Sequence, residues 1–243
     1  MVYYNAAYSA IGGIFERLNK NCGYFEWSQY LIKTLKCEGA GLKGVDIGCG
    51  NGYFTRALEK EGYDMLGMDS SPEMLSEAVN IARKEGIRAQ FVQGDIKKLA
   101  LGFKADFIVA VNDVINYIPR HELEKTFKKI HANLKKGGIL VFDISSEHKL
   151  RTVLGNNLFC EDEEDYSLIW FNTLFDDRVE MNLTLYSSIG GGVYSRKDES
   201  HAQYIHREGE VLQFLREAGF TVRCEGHLGG EKEQRINFIC KKI

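Results

Sequence analysis

Asp46, Asp69 and Asp95 sit at or near the ends of three successive apolar runs, in "GVDI", "DMLGMD" and "QFVQGD". Between the first two acids lies "GCGNGYF", with glycines at 48, 50 and 52. Glycine carries no Cβ and accepts positive φ, so such a loop turns sharply and lets backbone come close to a ligand. A helix starting near Gly52 would aim its free N–H groups into the same space. Dinucleotide-binding loops use this device with the spacing G-x-G-x-x-G. Here the spacing is G-x-G-x-G, and Tyr53 stands where the last glycine would be. A G-x-x-x-x-G-K-[ST] phosphate loop is also absent, so the ligand is expected to place no phosphate against this turn. Asp69 lies about twenty residues beyond the glycines, where an acid accepts hydrogen bonds from a ribose diol; an acid there also suits any helix N-terminus. Asp95 is positioned to accept from an exocyclic amine such as that of adenine, with Ile96 against the ring, or to serve as a plain turn residue. Three acids at three strand ends suit a ligand with a ribose and a cationic amine. Cys49 reads as a small packing residue.

A second group follows the fourth apolar run, "DFIVAV". Asn112, Asp113, Asn116 and Tyr117 stand at the mouth of this site, where at least one is expected to touch a second ligand; capping by Asn112 or Asp113 is the alternative. "ESHAQYIHREGE" carries two histidines. If 199–203 is a strand, Glu199, His201 and Gln203 share one face, turned either onto the site or to solvent. His206 is expected near the start of the last helix. Tyr24 and Trp27, spaced i, i+3, either line a lid or pack. The six cysteines, 22, 37, 49, 160, 224 and 240, form no CxxC pair and no zinc-spaced cluster. They are expected to be free thiols, and no metal is expected.

The elements that must hold these groups alternate. Apolar runs at 44–47, 63–68, 88–93, 106–111 and 138–144 read as buried strands. After Ser71-Pro72, a good helix start, Leu75, Ala78, Val79 and Ala82 mark one helical face. Leu123, Phe127, Ile130 and Leu134 mark another, with Lys135, Lys136, Gly137 and Gly138 as its expected stop. Strands alternating with helices imply a parallel sheet covered on both faces, with ligands at the carboxyl ends of its strands. From about 151 to 205 the pattern changes. "YSLIWFNTLF", "RVEMNLTLYSS" and "VYSRKDESHAQYI" read as a three-stranded antiparallel meander with one covered face, and "EDEEDY" at 161–166 as a solvated loop ahead of it. The α/β pattern resumes with the helix "REGEVLQFLREAGF", Val211, Leu212 and Leu215 inward, and two closing strands, "FTVRCEG" and "RINFICKK".

The chain has 243 residues and a formal net charge of −3, which gives no support to a nucleic-acid partner. No apolar run reaches membrane-span length, and the first residues lack the pattern of a signal peptide. A cytoplasmic protein is expected.

In order and spacing, the motifs resemble the class I S-adenosylmethionine-dependent methyltransferases. "VDIGCGNGYFT" looks like their glycine-rich first motif, "GMDSSPEMLSEA" like their second and "QGDIKKL" like their third. "DFIVAVNDVINYI" and "LKKGGILVFDI" match their fourth and fifth strands. The resemblance runs from Val45 to Ile144 and extends to the last helix and two strands. It is nearest to small-molecule enzymes with a small β-sheet between strand five and the last helix, among them glycine methyltransferases and sugar-amine N-methyltransferases. It implies an α/β fold, a Rossmann-like doubly wound seven-stranded sheet with an antiparallel last strand. That domain would span 1–150 and 206–243, with an antiparallel β insertion at 151–205 covering the substrate pocket.

The resemblance also implies roles. Asp46 would lie near the amino group of S-adenosylmethionine, and Gly48, Cys49 and Gly50 along its methionine part. Asp69 would take the ribose hydroxyls with Ser70 and Met74 beside it, and Asp95 and Ile96 would hold adenine. Val111 would offer its carbonyl to the amino-acid end. Tyr8 lies where related enzymes carry a tyrosine that closes over the cofactor, although the aspartate often found after it is missing. Asn112, Asn116, Tyr117 and His201 remain for the substrate, with His201 and Tyr117 as catalytic candidates. The implied reaction is in-line transfer of methyl to nitrogen or oxygen of a small-molecule acceptor, leaving S-adenosylhomocysteine. A sulfonium methyl is already activated, so a general base is needed only for a protonated nucleophile. No NPPY-like tetrad follows strand four, which disfavours adenine or amide nitrogen. The alternatives are methylation of RNA or protein, which predicts a basic face, and a cofactor-binding regulator without turnover. Tyr53 speaks against a nicotinamide dehydrogenase. No nucleic-acid or membrane partner is expected, and a monomer or homodimer is.

Overall fold

The computed structural model describes Arg17 and residues 22–243. Its main sheet follows the order β10-β11-β5-β4-β1-β2-β3. Strands β1 (Lys43–Ile47), β2 (Asp64–Asp69), β3 (Gln90–Gln93), β4 (Ala105–Ala110) and β5 (Leu134–Ser145) run parallel. β11 (Arg235–Lys242) lies antiparallel between β5 and β10 (Phe220–Gly226). This is the doubly wound seven-stranded sheet that the family resemblance implied. Chain order reverses between β1 and β4, and a sheet of this kind opens its ligand crevice there.

Each face of the sheet buries a separate apolar layer. On one, α1 (Tyr24–Glu38) and α2 (Tyr53–Lys60) bring Trp27, Leu31, Leu35, Phe54 and Leu58 against Phe107, Val109 and Val141. On the other, α4 (Arg120–Asn133) and α5 (Glu208–Glu217) bury Leu123, Phe127, Val211 and Leu215 against Ile108, Phe142 and Phe238. Phe142 and Phe238 stack with centroids 4.8 Å apart, a geometry that adds to their area burial.

Helix α3 (Pro72–Lys84) begins as its sequence prescribes: Met74 N donates to Ser71 Oγ at 3.2 Å, with Pro72 in the first turn. Its inward face is Met74, Leu75, Ala78 and Ala82, while Val79 is exposed. Leu75, Ala78 and Ala82 of the expected stripe are thus inward, and Met74 takes the place of Val79. The basic-glycine stretch 135–138 does not end α4 either. Leu134 is already extended and pairs with Ala105, so Lys135 to Gly138 belong to β5, at a register shift.

The second sheet has four antiparallel strands, β6 (Leu158–Asp162), β7 (Tyr166–Leu174), β8 (Arg178–Gly190) and β9 (Val193–Tyr204), where three were expected. The acidic stretch splits: Glu161 and Asp162 end β6, and a turn through Glu163 to Asp165 leads into β7. β6 is an edge strand with no residue fully buried; its positions alternate only between exposed and half-buried, and "LFCED" carries no apolar/polar alternation like that of β8. Residues Lys149–Leu154 form one wide helical turn that roots this sheet on β5, with Leu150 and Leu154 buried. Val179, Met181, Leu183 and Leu185 on β8 supply the sheet's covered face. Among the described residues no helix is long and apolar enough to cross a membrane.

Candidate active site

The glycine loop joins β1 to α2 and folds over the end of β2. Gly48 N and Cys49 N both donate to Met68 O, at 2.7 and 3.1 Å. Gly48 has φ 69°, and a Cβ there would collide with Val114 Cγ2. No other residue fits without moving Val114. Gly52, at φ 78°, is the left-handed N-cap of α2, so the free N–H groups of that helix face the loop.

Asp69 ends β2 beside this loop. One carboxylate oxygen accepts from Gly50 N at 2.8 Å and the other from Ser71 N at 2.9 Å. Burial raises its pKa, against the pull of these backbone donors. A carboxylate offers about four lone-pair sites, so each oxygen retains capacity for a ligand hydroxyl. Asp95 caps a short turn, accepting from Lys97 N at 2.8 Å. Asp46 lies underneath, 1% exposed, and accepts from Thr55 Oγ1 at 2.6 Å. Burial, opposed by Thr55 and reinforced by Asp69, pushes its pKa up to about 7.

A cavity of about 660 Å³ opens at the carboxyl edge of the sheet, within the range of small-ligand sites. The structure brings Gly48, Gly50, Asp69, Ser70 and Met74 to one wall, Asp95 and Ile96 to the next, and Val111, Asn112 and Tyr117 to a third. His201 of β9 closes it from the second sheet. Asp46, Cys49 and Asn116 do not reach the cavity. The Cys49 thiol is buried and its pKa raised well above its ordinary value by that burial. Asn116 is fully buried; its Nδ2 donates to Tyr204 O at 2.9 Å and its Oδ1 accepts from Ser145 N at 2.9 Å. Tyr8 lies outside the described residues.

Glu199, His201 and Gln203 are 4, 7 and 5% exposed, so their shared face does not look to solvent. They stand opposite Leu183, Met181 and Val179 of β8. His201 Nδ1 is 3.1 Å from Glu199 Oε1, Tyr117 presents its ring edge-on to His201, and Gln203 Nε2 lies 3.5 Å from Tyr117 Oη. Arg178, Lys97 and Tyr204 also line the cavity and were not anticipated. Arg178 and Tyr204 are register partners across β8 and β9, a juxtaposition no local motif announces. The Arg178 guanidinium is held by Glu180 and Asp177.

His206 is buried against Ile115 O at 3.3 Å, and burial lowers its pKa. Tyr24 and Trp27 pack against Phe54, and Tyr24 Oη accepts from Asn112 Nδ2 at 3.0 Å; neither lines the cavity. Among the described residues no group of His, Cys, Asp and Glu could hold a metal ion.

Behind the third wall lies a buried ionic cluster. Asn112 and Asp113 both have positive φ, 66° and 68°, which costs on the order of 1 kcal/mol each even for residues that tolerate it best. Asp143, at the end of β5, accepts Asn112 N at 2.7 Å and Asp113 N at 3.1 Å. Arg235, the first residue of β11, forks onto Asp113 at 2.7 and 3.2 Å and also binds Asp143. Lys149 stands 3.7 Å from Asp113. Burial opposes ionisation of Asp113, yet Arg235 and Lys149 outweigh it and hold its pKa low; burial and the nearby Asp113 raise that of Asp143 against Arg235.

Residues 45–138 match the family model described as a methyltransferase domain. A methyltransferase-family protein of Geobacillus sp. (strain WCH70) is 31% identical over 97% of this chain and 99% of its own. The crystal structure of an S-adenosylmethionine-dependent methyltransferase from Clostridium acetobutylicum superposes with a TM-score of 0.88 at 30% identity, covering 97% of this chain and 98% of that one. The sugar N-methyltransferase KedS8 from Streptoalloteichus shares the fold, with a TM-score of 0.80 at 16% identity over 100% of this chain and 96% of its own.

Proposed function

Because the chain belongs to the class I S-adenosylmethionine-dependent methyltransferases, we propose that it methylates nitrogen or oxygen of a small-molecule acceptor held beneath the antiparallel sheet. The observation that carries this reading is the cavity between the Gly48–Asp69 cradle and the polar face of β9. Its residues fit the cofactor. Gly48 and Gly50 present backbone to the cavity, Asp69 retains acceptor sites for a diol, and Ile96 and Met74 offer apolar surface to a ring. When bound, the cofactor supplies a methyl group already activated by its sulfonium.

The chain's own part is then to exclude water and align the nucleophile. His201 is the group in reach of an acceptor under the sheet that can take a proton. Glu199 behind it orients the imidazole through Nδ1, and Tyr117 flanks the same space. The name of a neighbour of this fold, a sugar N-methyltransferase, supports nitrogen as the acceptor atom.

Calorimetry with S-adenosylhomocysteine tests the reading. Tight binding, abolished or greatly weakened by Asp69→Ala, is expected. No binding, or undiminished binding by the variant, sinks it.

A further inference from the structure

The Asp143–Arg235 cluster stands outside the cavity, yet it fixes the backbone that forms a cavity wall. Asn112 and Asp113 are consecutive left-handed residues without being glycine. Their two N–H groups converge on one carboxylate, Asp143. Arg235 ties that carboxylate to the Asp113 side chain, and Ser145 Oγ adds a bond to Asp113 at 2.7 Å. The sharp turn thus made throws Val114 back over the glycine loop, where it fills the space that a Cβ on Gly48 would need. Asn112, Val114 and Tyr117 all face the cavity from this turn. Three strand ends are involved: the chain leaving β4, the end of β5 and the start of β11.

We propose that Asp143 and Arg235 are positioning residues for the cofactor: by pinning the left-handed pair they set the wall, and through Val114 the glycine loop, against which its amino-acid end lies. The inference rests on the reading of this cavity as the cofactor site. It differs from a plain stabilising role because the cluster is linked to the cavity through one backbone turn. Loosening that turn would lower affinity beyond what a loss of folding stability alone brings.

Asp143→Asn keeps the shape but sets an amide NH2 against one of two backbone donors or the guanidinium. Arg235→Lys keeps the charge but cannot fork onto Asp113 while reaching Asp143. Leu215→Ala, in the core beneath α5 and away from the cavity, is the structural control. Each is titrated with S-adenosylhomocysteine by calorimetry well below its melting temperature, with Tm recorded in parallel. The expected result is a Kd raised roughly ten- to a hundredfold in the two cluster variants and unchanged in Leu215→Ala at a comparable loss of Tm. Unchanged affinity in a folded Asp143→Asn or Arg235→Lys overturns the inference while leaving the function reading intact. Affinity that falls in proportion to Tm in all three variants also overturns it. A wild-type protein that fails to bind S-adenosylhomocysteine removes both.

Discussion

Replacing Asp69 by asparagine separates two roles that an acid at a strand end can play. A helix-terminal charge would be worth about 0.3–2 kcal/mol at such a partly buried position, and its loss would barely touch a ligand. A diol acceptor has a different arithmetic. Each Asp69 oxygen already accepts one backbone N–H, from Gly50 and from Ser71, and each keeps a site for one hydroxyl. Asparagine has one oxygen and one NH2, so in either orientation the NH2 meets a backbone donor, and one acceptor site for the ligand disappears together with the charge. Charge-assisted hydrogen bonds contribute about 1.5–3 kcal/mol each. Losing one and weakening the other removes about 3 kcal/mol, which is roughly a hundredfold in Kd. Asp69→Asn is therefore expected to bind S-adenosylhomocysteine about as poorly as Asp69→Ala, despite being isosteric. It should also melt lower, because the Gly50 or Ser71 N–H is left facing a donor. The assay is calorimetric titration at neutral pH with Tm measured alongside. A Kd within threefold of wild type for a folded Asp69→Asn refutes the diol role.

The pKa of Asp46, raised to about 7 in the fold against about 3.9 in an unfolded chain, gives the ligand-free protein a signed pH dependence. The folded state binds the extra proton, so this group's contribution to stability falls as pH rises from about 4 to about 7 and stays flat above, by about 4 kcal/mol at most. Asp46→Asn, which can still accept from Thr55, should gain about 3 kcal/mol on wild type between pH 5 and pH 8 by urea unfolding; an equal difference at both pH values counts against it. Gly48→Ala should weaken S-adenosylhomocysteine binding at least tenfold, since left-handed strain of about 1–2 kcal/mol adds to overpacking of about 1–3 kcal/mol against Val114. Adding Val114→Ala should recover the overpacking part but not the strain, and no recovery in the double variant shows that the clash is not what matters.

The residues that line the cavity from the glycine loop and the end of β2 were legible because they are local. Alternate glycines followed by an acid at the next strand end identify backbone that approaches a ligand wherever the strands lie. Asn116 and Asp113 were ambiguous for a physical reason: a polar residue past a strand end reads the same whether it meets a ligand or the neighbouring strand. Here Asn116 spends its amide on Ser145 and Tyr204. Arg235 could not be singled out, because its partners are 92 and 122 residues away in the chain. Arg178 reaches the cavity only through its register with Tyr204. β6 escaped detection because it pairs on one side and has one exposed and one only half-buried face, which imposes no hydrophobic period on "LFCED".

The reversed last strand explains why the wall is braced from so far away. A parallel strand offers the ligand edge of a sheet its last residue; an antiparallel one offers its first. β11 therefore delivers Arg235 to the carboxyl edge, locked by the ladder that pairs it with Ser145 and Ile236 with Ile144. The same end of β5 roots the second sheet: Ser146 N donates to Gln234 O at 3.1 Å, Leu150 N to Ser146 O at 3.0 Å, and Lys149 reaches Asp113. The cavity wall and the sheet proposed to cover the acceptor thus hang from one anchor. Two carboxylates, one guanidinium and one ammonium nearly balance there, and removing any one would leave an uncompensated buried charge, a loss of about 3–5 kcal/mol. A brace of that cost would hold the two walls of the cavity in fixed relation, as the proposed in-line transfer between them requires.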